Sequence, residues 1–279
     1  MLYSRKININ DANDSNAVLY KMVSEGSRVL DVGCACGDLA ELLTKGKNCL
    51  CTGMEYDPEG IACCAQKRVF ERLLSVDLNF FAASDYSDLA GYFDYIVCGD
   101  VLEHLQNPYK FLQELKHLLR QGGSFVISLP NAAHASIKAS LLSDEWEYAE
   151  LGIMDKTHLR FFTYLSIARF LGEAGLRISE AAYTLLPAEG YQKYKLSDLP
   201  LEVAGFIAAD PHSYVFQYIV KAEVSTEKSS GLIISNRKKL DIEKLDKKPD
   251  AGIMFKIKRF LLIKLPGVIK YIQKLRGLF

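Results

Sequence analysis

Asp31, Gly33 and Gly37 lie close together in R-V-L-D-V-G-C-A-C-G-D (28–38), and their types suit one kind of ligand. The two glycines permit a tight turn that brings backbone close to a bound group. A dinucleotide fingerprint beginning at Gly33 would need glycine at Ala35 and Asp38, and it has neither. The Asp31 carboxylate beside the turn would repel a pyrophosphate and attract a cation. The turn therefore suits a nucleoside that carries positive charge. Glu55 ends the next apolar run, 22 positions after Gly33. An acidic group at that place accepts hydrogen bonds from ribose hydroxyls. Asp77 ends a third run, where a carboxylate would meet a base. Asp85 is its rival, and Asp77 is preferred because its run follows a helix more directly.

The elements that position these groups are legible in the pattern. Val29, Leu30 and Val32 form a short buried strand, and Leu39, Leu42 and Leu43 give the next segment a helical face that Asp38 caps. An earlier helix runs from Asp14 or Ser15 to Gly26. Cys49–Met54 is a second strand, and Asp57-Pro58 opens a helix to about Phe70. Leu73–Val76 is the third strand and 78–92 a connector. Tyr92–Cys98 is the fourth strand, followed by G-D-V-L-E-H-L. Asn107-Pro108 starts a helix whose face carries Phe111, Leu112, Leu115, Leu118 and Leu119; Gln121-Gly122-Gly123 stops it. Ser124–Leu129 is the fifth strand. Leu176–Leu186 and Tyr214–Ala222 alternate as two further strands, with a helix at 164–175 before them and a short one near Leu199–Ala208 between them.

Composition excludes several classes. Apolar residues make up 49% and charged residues 24%, and the formal net charge is zero, so a nucleic-acid partner is not expected. The seven cysteines, at 34, 36, 49, 51, 63, 64 and 98, lie mostly on expected strands and a helix. Their odd number argues against a disulfide framework. The Cys-x-Cys pairs lack zinc-knuckle spacing, so the sulfurs read as small buried hydrophobes and no metal site is expected. The first residues contain no apolar secretory core and no uninterrupted apolar run is long enough to span, which implies a cytoplasmic protein.

Four segments, V-L-D-V-G-C-A-C-G, G-M-E-Y-D, F-D-Y-I-V-C-G-D-V-L-E-H-L and L-L-R-Q-G-G-S-F-V-I-S-L-P-N, in this order, resemble class I S-adenosylmethionine-dependent methyltransferases. The resemblance covers roughly 14–222 and departs at Ala35, where the family often has glycine. It implies a doubly wound α/β sheet of seven mostly parallel strands with an antiparallel edge hairpin. It implies S-adenosylmethionine as cofactor, with Gly33, Cys34, Ala35 and Gly37 passing its methionine part. Glu55 and Tyr56 would lie at the ribose, Asp77 and Leu78 at the adenine, and Gly99, Asp100 and Val101 near the sulfonium.

Methyl transfer to a hydroxyl needs a base, and histidine is tuned for that work. His117 sits on a helix and His212 in a loop, without a case for either. His158 in D-K-T-H-L-R-F-F-T, His104 in E-H-L and His134 past the fifth strand are the candidates, in that order. Asp155 accompanies them, and Arg160 would hold an anionic group of the acceptor. The 132–155 stretch, with Trp146, Tyr148 and Gly152, is suited to a lid. The H-L-R-F-F-T segment resembles enzymes of surface-polysaccharide assembly, so the first expectation is a sugar hydroxyl of a glycan or glycolipid. A lipophilic quinone precursor is the second, and a catalytically silent binding module the third. The expected domain plan is 1–222 catalytic, 223–252 polar linker and 253–279 a C-terminal helical tail. That tail holds seven lysines and arginines and no acid, which suits the surface of an anionic membrane.

Overall fold

The computed structural model describes residues 7–188 and 193–225. These fall into two compact units: 7–131, 149–184 and 217–225 in the first, 132–148, 185–188 and 193–216 in the second.

The first unit is built on seven strands: β1 (Arg28–Val32), β2 (Leu50–Glu55), β3 (Phe70–Ser75), β4 (Phe93–Gly99), β5 (Leu119–Pro130), β6 (Leu176–Leu185) and β7 (Val215–Val224). Their order is β3-β2-β1-β4-β5-β7-β6; β3 to β5 run parallel with their neighbours and β7 is antiparallel to β5. Leu30, Ile96, Val97, Phe125 and Ile127 are fully buried, as strands covered on both faces require. The expected seven-stranded sheet with its antiparallel edge is present.

Helices α1 (Ser15–Met22), α2 (Asp38–Lys47), α3 (Pro58–Lys67), α4 (Pro108–Lys116) and α6 (Tyr164–Glu173) belong to this unit, with α5 (Ala135–Leu142) and α7 (Leu201–Ala209) in the other. Their starts follow local chemistry. Asp14 caps α1, Asp57 caps α3 ahead of Pro58, and Asn107 caps α4 ahead of Pro108. Thr163 and Ser166 form a capping box on α6.

Several boundaries differ from expectation, and α1 stops at Met22, short of Gly26. Asp38 does not cap α2: Gly37, left-handed at φ 70°, takes that place, and Asp38 in the first turn pairs with Lys67. Helix α3 stops at Lys67 because Arg68 turns left-handed, so Phe70 opens β3. Leu118 and Leu119 lie beyond α4. The Gly122-Gly123 stretch belongs to β5, which shifts register against β4 between Phe93 and Tyr95. Strand β7 continues through Glu223 and Val224, two residues into the expected linker. The rest of that linker and the basic tail lie outside the described residues. Among the described residues no helix is long and apolar enough to cross a membrane.

In the second unit, α5 packs against α7, and the Lys138 ammonium donates to Ser213 Oγ at 2.7 Å and pairs with Asp210 at 3.2 Å. Trp146 and Tyr148, both exposed, meet edge to face at 6.5 Å.

Candidate functional site

Strand order reverses between β1 and β4, and in open α/β sheets ligands bind at the carboxyl ends of the strands beside such a switch point. Gly33 leaves β1 there at φ 64°, and a β-carbon on it would stand 2.8 Å from Val101 Cγ2, which follows β4. The turn is closed by the Gly37 amide on the Cys34 carbonyl at 2.7 Å and by the Cys34 amide on the Met54 carbonyl at 3.0 Å. Ala35, where the family often has glycine, holds φ 48°. That left-handed conformation is costly for any residue with a β-carbon. Ala35→Gly is expected to raise stability by about 1 kcal/mol, read from the urea midpoint.

Asp31 is buried, and its Oδ2 has no hydrogen-bond partner. Burial, reinforced by the Glu55 charge, pushes its pKa up to about 7. An orphaned acid beside a turn that two glycines keep tight fits a cationic, phosphate-free nucleoside such as S-adenosylmethionine. Glu55 has backbone partners beside its expected part. Its Oε2 accepts from the Ala35 amide at 2.7 Å, and its Oε1 from the Tyr56 and Asp57 amides at 2.7 and 2.8 Å. The carboxylate thus ties the glycine turn to the end of β2, and Oε2 keeps one lone pair for a ribose hydroxyl. Glu55→Ala leaves three amides without their acceptor, so both stability and cofactor affinity should fall, by about 1–3 kcal/mol each. Paired urea and calorimetric titrations check this, and a loss of affinity alone would return Glu55 to pure ribose binding.

Asp77, half-buried, accepts from the Asn79 amide at 3.0 Å just beyond β3, where Ser75 pairs with Glu55 across the strands. Leu78 is half-buried beside it and Tyr56 is exposed. Asp85 is exposed in a later turn and at no strand end. The structure therefore brings Asp31, the glycine turn, Glu55 and Asp77 to one edge of the sheet, along with Gly99 and Val101.

Asp100 occupies a left-handed φ of 55°. Its carboxylate accepts from Ser128 Oγ at 2.7 Å, and both its oxygens accept from Gln217 Nε2 at 2.8 Å. The sequence reading missed Gln217, because only the antiparallel return of β7 brings it to Asp100.

The three candidate histidines part company. His134 is fully buried, caps α5, and uses Nδ1 with Ser136 and Nε2 with the Leu186 carbonyl at 3.0 Å. Burial lowers its pKa to about 4. With both ring nitrogens engaged, His134 holds neither ready for an acceptor proton. His104 and His158 meet edge to face at 4.7 Å between ring centres. The Thr157 hydroxyl donates to Asp155 Oδ1 at 2.6 Å, so its oxygen accepts the Nδ1 proton of His104 at 3.0 Å. His158 Nδ1 donates to the Ile153 carbonyl at 3.0 Å. Each ring is thereby fixed with its Nε2 lone pair free. Burial, with the neighbouring His158, holds the His104 pKa below its ordinary value. Burial alone would raise the pKa of Asp155, yet the Thr157 hydrogen bonds and the two imidazoles hold it down.

Near both rings lies Glu103, wholly buried, with neither carboxylate oxygen hydrogen-bonded. Burial, and then the Asp100 charge, raises its pKa well above the usual range. The Glu103 carbonyl accepts from the Leu159 and Arg160 amides at 2.8 and 3.0 Å, which clips the 155–160 segment to the end of β4. Exposed Arg160 donates to the Leu159 and Gln106 carbonyls. Nothing in the spacing announced this Glu103 cluster; the one hint was a glutamate between the buried Leu102 and Leu105.

Comparison with known proteins places this geometry in context. Residues 15–181, more than half of the chain, match the family model described as a methyltransferase domain. A ubiquinone biosynthesis O-methyltransferase from Thiobacillus denitrificans is 29% identical over 156 residues, covering 56% of this chain and 66% of that protein. One of the same name from Xylella fastidiosa is 29% identical, covering 56% of this chain and 63% of its own. The matched region is thus just under two thirds of these relatives. Among solved structures, a complex of the Haloferax volcanii Trm112 methyltransferase activator with a methyltransferase candidate aligns with a TM-score of 0.53 at 13% identity, over 78% of this chain and 92% of that one. A Bacillus halodurans methyltransferase candidate aligns at 0.50 and 16%, over 76% and 99%. At such identities the structures speak for the fold alone. With the sheet order, the switch-point turn and the family match together, the chain belongs to the methyltransferase-domain family and has the fold of the class I S-adenosylmethionine-dependent enzymes.

Proposed function

We propose that this chain transfers a methyl group from S-adenosylmethionine to a hydroxyl oxygen of a small lipophilic phenol of the quinone-precursor class. The observation that carries O-methylation is the pair of free imidazole lone pairs on His104 and His158, gathered with Glu103 just after β4. A hydroxyl must lose its proton to become a nucleophile, whereas an amine needs little help. The names of the relatives from Thiobacillus and Xylella favour the quinone precursor over the sugar hydroxyl first expected.

The bound cofactor supplies an electrophilic methyl group on a sulfonium. Asp31 would hold its positive charge, Glu55 its ribose and Asp77 its adenine. Asp100, fixed by Ser128 and Gln217, would border the transfer point. The Glu103, His104 and His158 group would activate the acceptor hydroxyl, while Arg160 offers its remaining N–H donors to an anionic group of the acceptor. Catalysis here is mainly alignment, exclusion of water and proton removal.

The test is methyl uptake from labelled S-adenosylmethionine by full-length protein. The acceptors are an alkyl-substituted catechol, a free hexose and a lipid-linked sugar. Labelled catechol supports the reading. Label on the sugars alone returns the acceptor to the glycan class, and cofactor binding without transfer to any of them favours a silent binding module.

A further inference from the structure

We propose that Glu103, His104 and His158 form a binding site for one divalent transition-metal ion of the zinc class. Three separate features converge on it. First, both oxygens of Glu103 are buried and unpartnered, which is rare for a carboxylate unless something cationic completes it. Second, each histidine has its Nδ1 proton committed. A carbonyl, as at Ile153, only accepts, so His158 Nδ1 must donate. The Thr157 hydroxyl gives its own proton to Asp155, so it too must accept from His104. Metal-bound histidines are oriented in this way, the far nitrogen donating to a carbonyl or a carboxylate-linked group while Nε2 faces the ion. Third, one ligand atom from each of the three residues lies within 4.8 Å of the other two. Ligands around zinc stand about 2.0–2.2 Å from the ion, so modest inward side-chain movement closes the set.

Ligand type narrows the ion. Two imidazole nitrogens and one carboxylate oxygen suit zinc, cobalt, nickel or ferrous iron, and suit magnesium or calcium poorly. Three protein ligands leave a fourth position open, the arrangement of catalytic zinc centres. There the acceptor hydroxyl would bind and lose its proton to solvent more readily, the ion then taking over the activation that the two free imidazole nitrogens supply without it. Binding of the ion stands on the ligand geometry alone, whereas its part in activating the acceptor rests on the methyl-transfer reading. The chain's thiols do not reproduce the set, since no cysteine belongs to it.

The experiment uses full-length protein stripped with a chelator and titrated with cobalt(II), whose visible spectrum reports nitrogen and oxygen ligands in a four-coordinate site and separates them from thiolate ligands. One equivalent should bind with a thiolate-free spectrum, and zinc should displace it. Glu103→Gln and His158→Gln should each weaken cobalt binding at least tenfold. Calorimetric binding of S-adenosylhomocysteine, unchanged in both variants, shows that they are folded. Absence of a stoichiometric cobalt spectrum overturns the site, as does unchanged affinity in both folded variants. If cobalt binds as expected but stripped and reconstituted protein methylate the catechol equally well, the site stands and its role in activation falls.

Discussion

Asp31→Asn should bind S-adenosylmethionine more weakly by about 2–4 kcal/mol, on the order of 30- to 1000-fold, at pH 8. The side chain keeps its shape and loses the charge that a cationic ligand meets. Two pH trends should accompany this loss. In the wild type, affinity should rise as pH rises through about 7, because the ligand favours the ionised acid; the variant should show no such rise. Stability should move the other way. The folded pKa of Asp31 stands above its unfolded value of 3.8, so its contribution is fully present below pH 3.8 and is lost as pH rises through about 7. The loss is about 4 kcal/mol in order of magnitude. The ligand-free variant should therefore melt at a higher temperature than the wild type at pH 8, with the gap closing near pH 4. Equal affinities at pH 8 would place the cationic end of the ligand elsewhere.

His104→Ala should lower kcat on the catechol by on the order of 10²–10⁴ and leave S-adenosylhomocysteine affinity nearly unchanged. His104 is preferred to His158 here because it is half-exposed while His158 is buried. Single-turnover methyl transfer with saturating cofactor gives the readout. Normal turnover in the variant would move the reaction away from the Glu103 cluster altogether.

Much of this molecule was legible in its sequence where local chemistry decides the structure. Asp14, Asp57-Pro58 and Asn107-Pro108 mark three helix starts because a capping side chain and a fixed φ act within one turn. The glycine turn and the acids at strand ends were legible because spacing reflects the strand-turn-helix unit. The start of β3 was not, because Arg68 takes the left-handed stop that glycine or asparagine usually provides. Gly122 and Gly123 read as a break, yet the strand passes through them by shifting register. Glu55 kept its place and gained backbone partners, since a carboxylate near three free amides binds them before any ligand arrives. The Glu103 cluster and the Asp100–Gln217 contact depend on residues distant in sequence, which no local pattern encodes.

The place of β7 between β5 and β6 also has a consequence for the growing polypeptide. Everything that would hold the cofactor, from Asp31 to Val101, is synthesised early and can assemble as a parallel sheet. Gln217 reaches Asp100 across 117 residues. At about 5–20 residues per second, that interval is roughly 6–25 s of translation. Once made, β5 presents an open edge until β7 follows, and β6 emerges before the strand that separates it from β5. The nucleoside side of the cleft is thus ready before Asp100 gains its support from Gln217. A ribosome-bound chain halted before residue 215 should already capture S-adenosylhomocysteine, and that capture would steady the half-built sheet while its last inner strand is made.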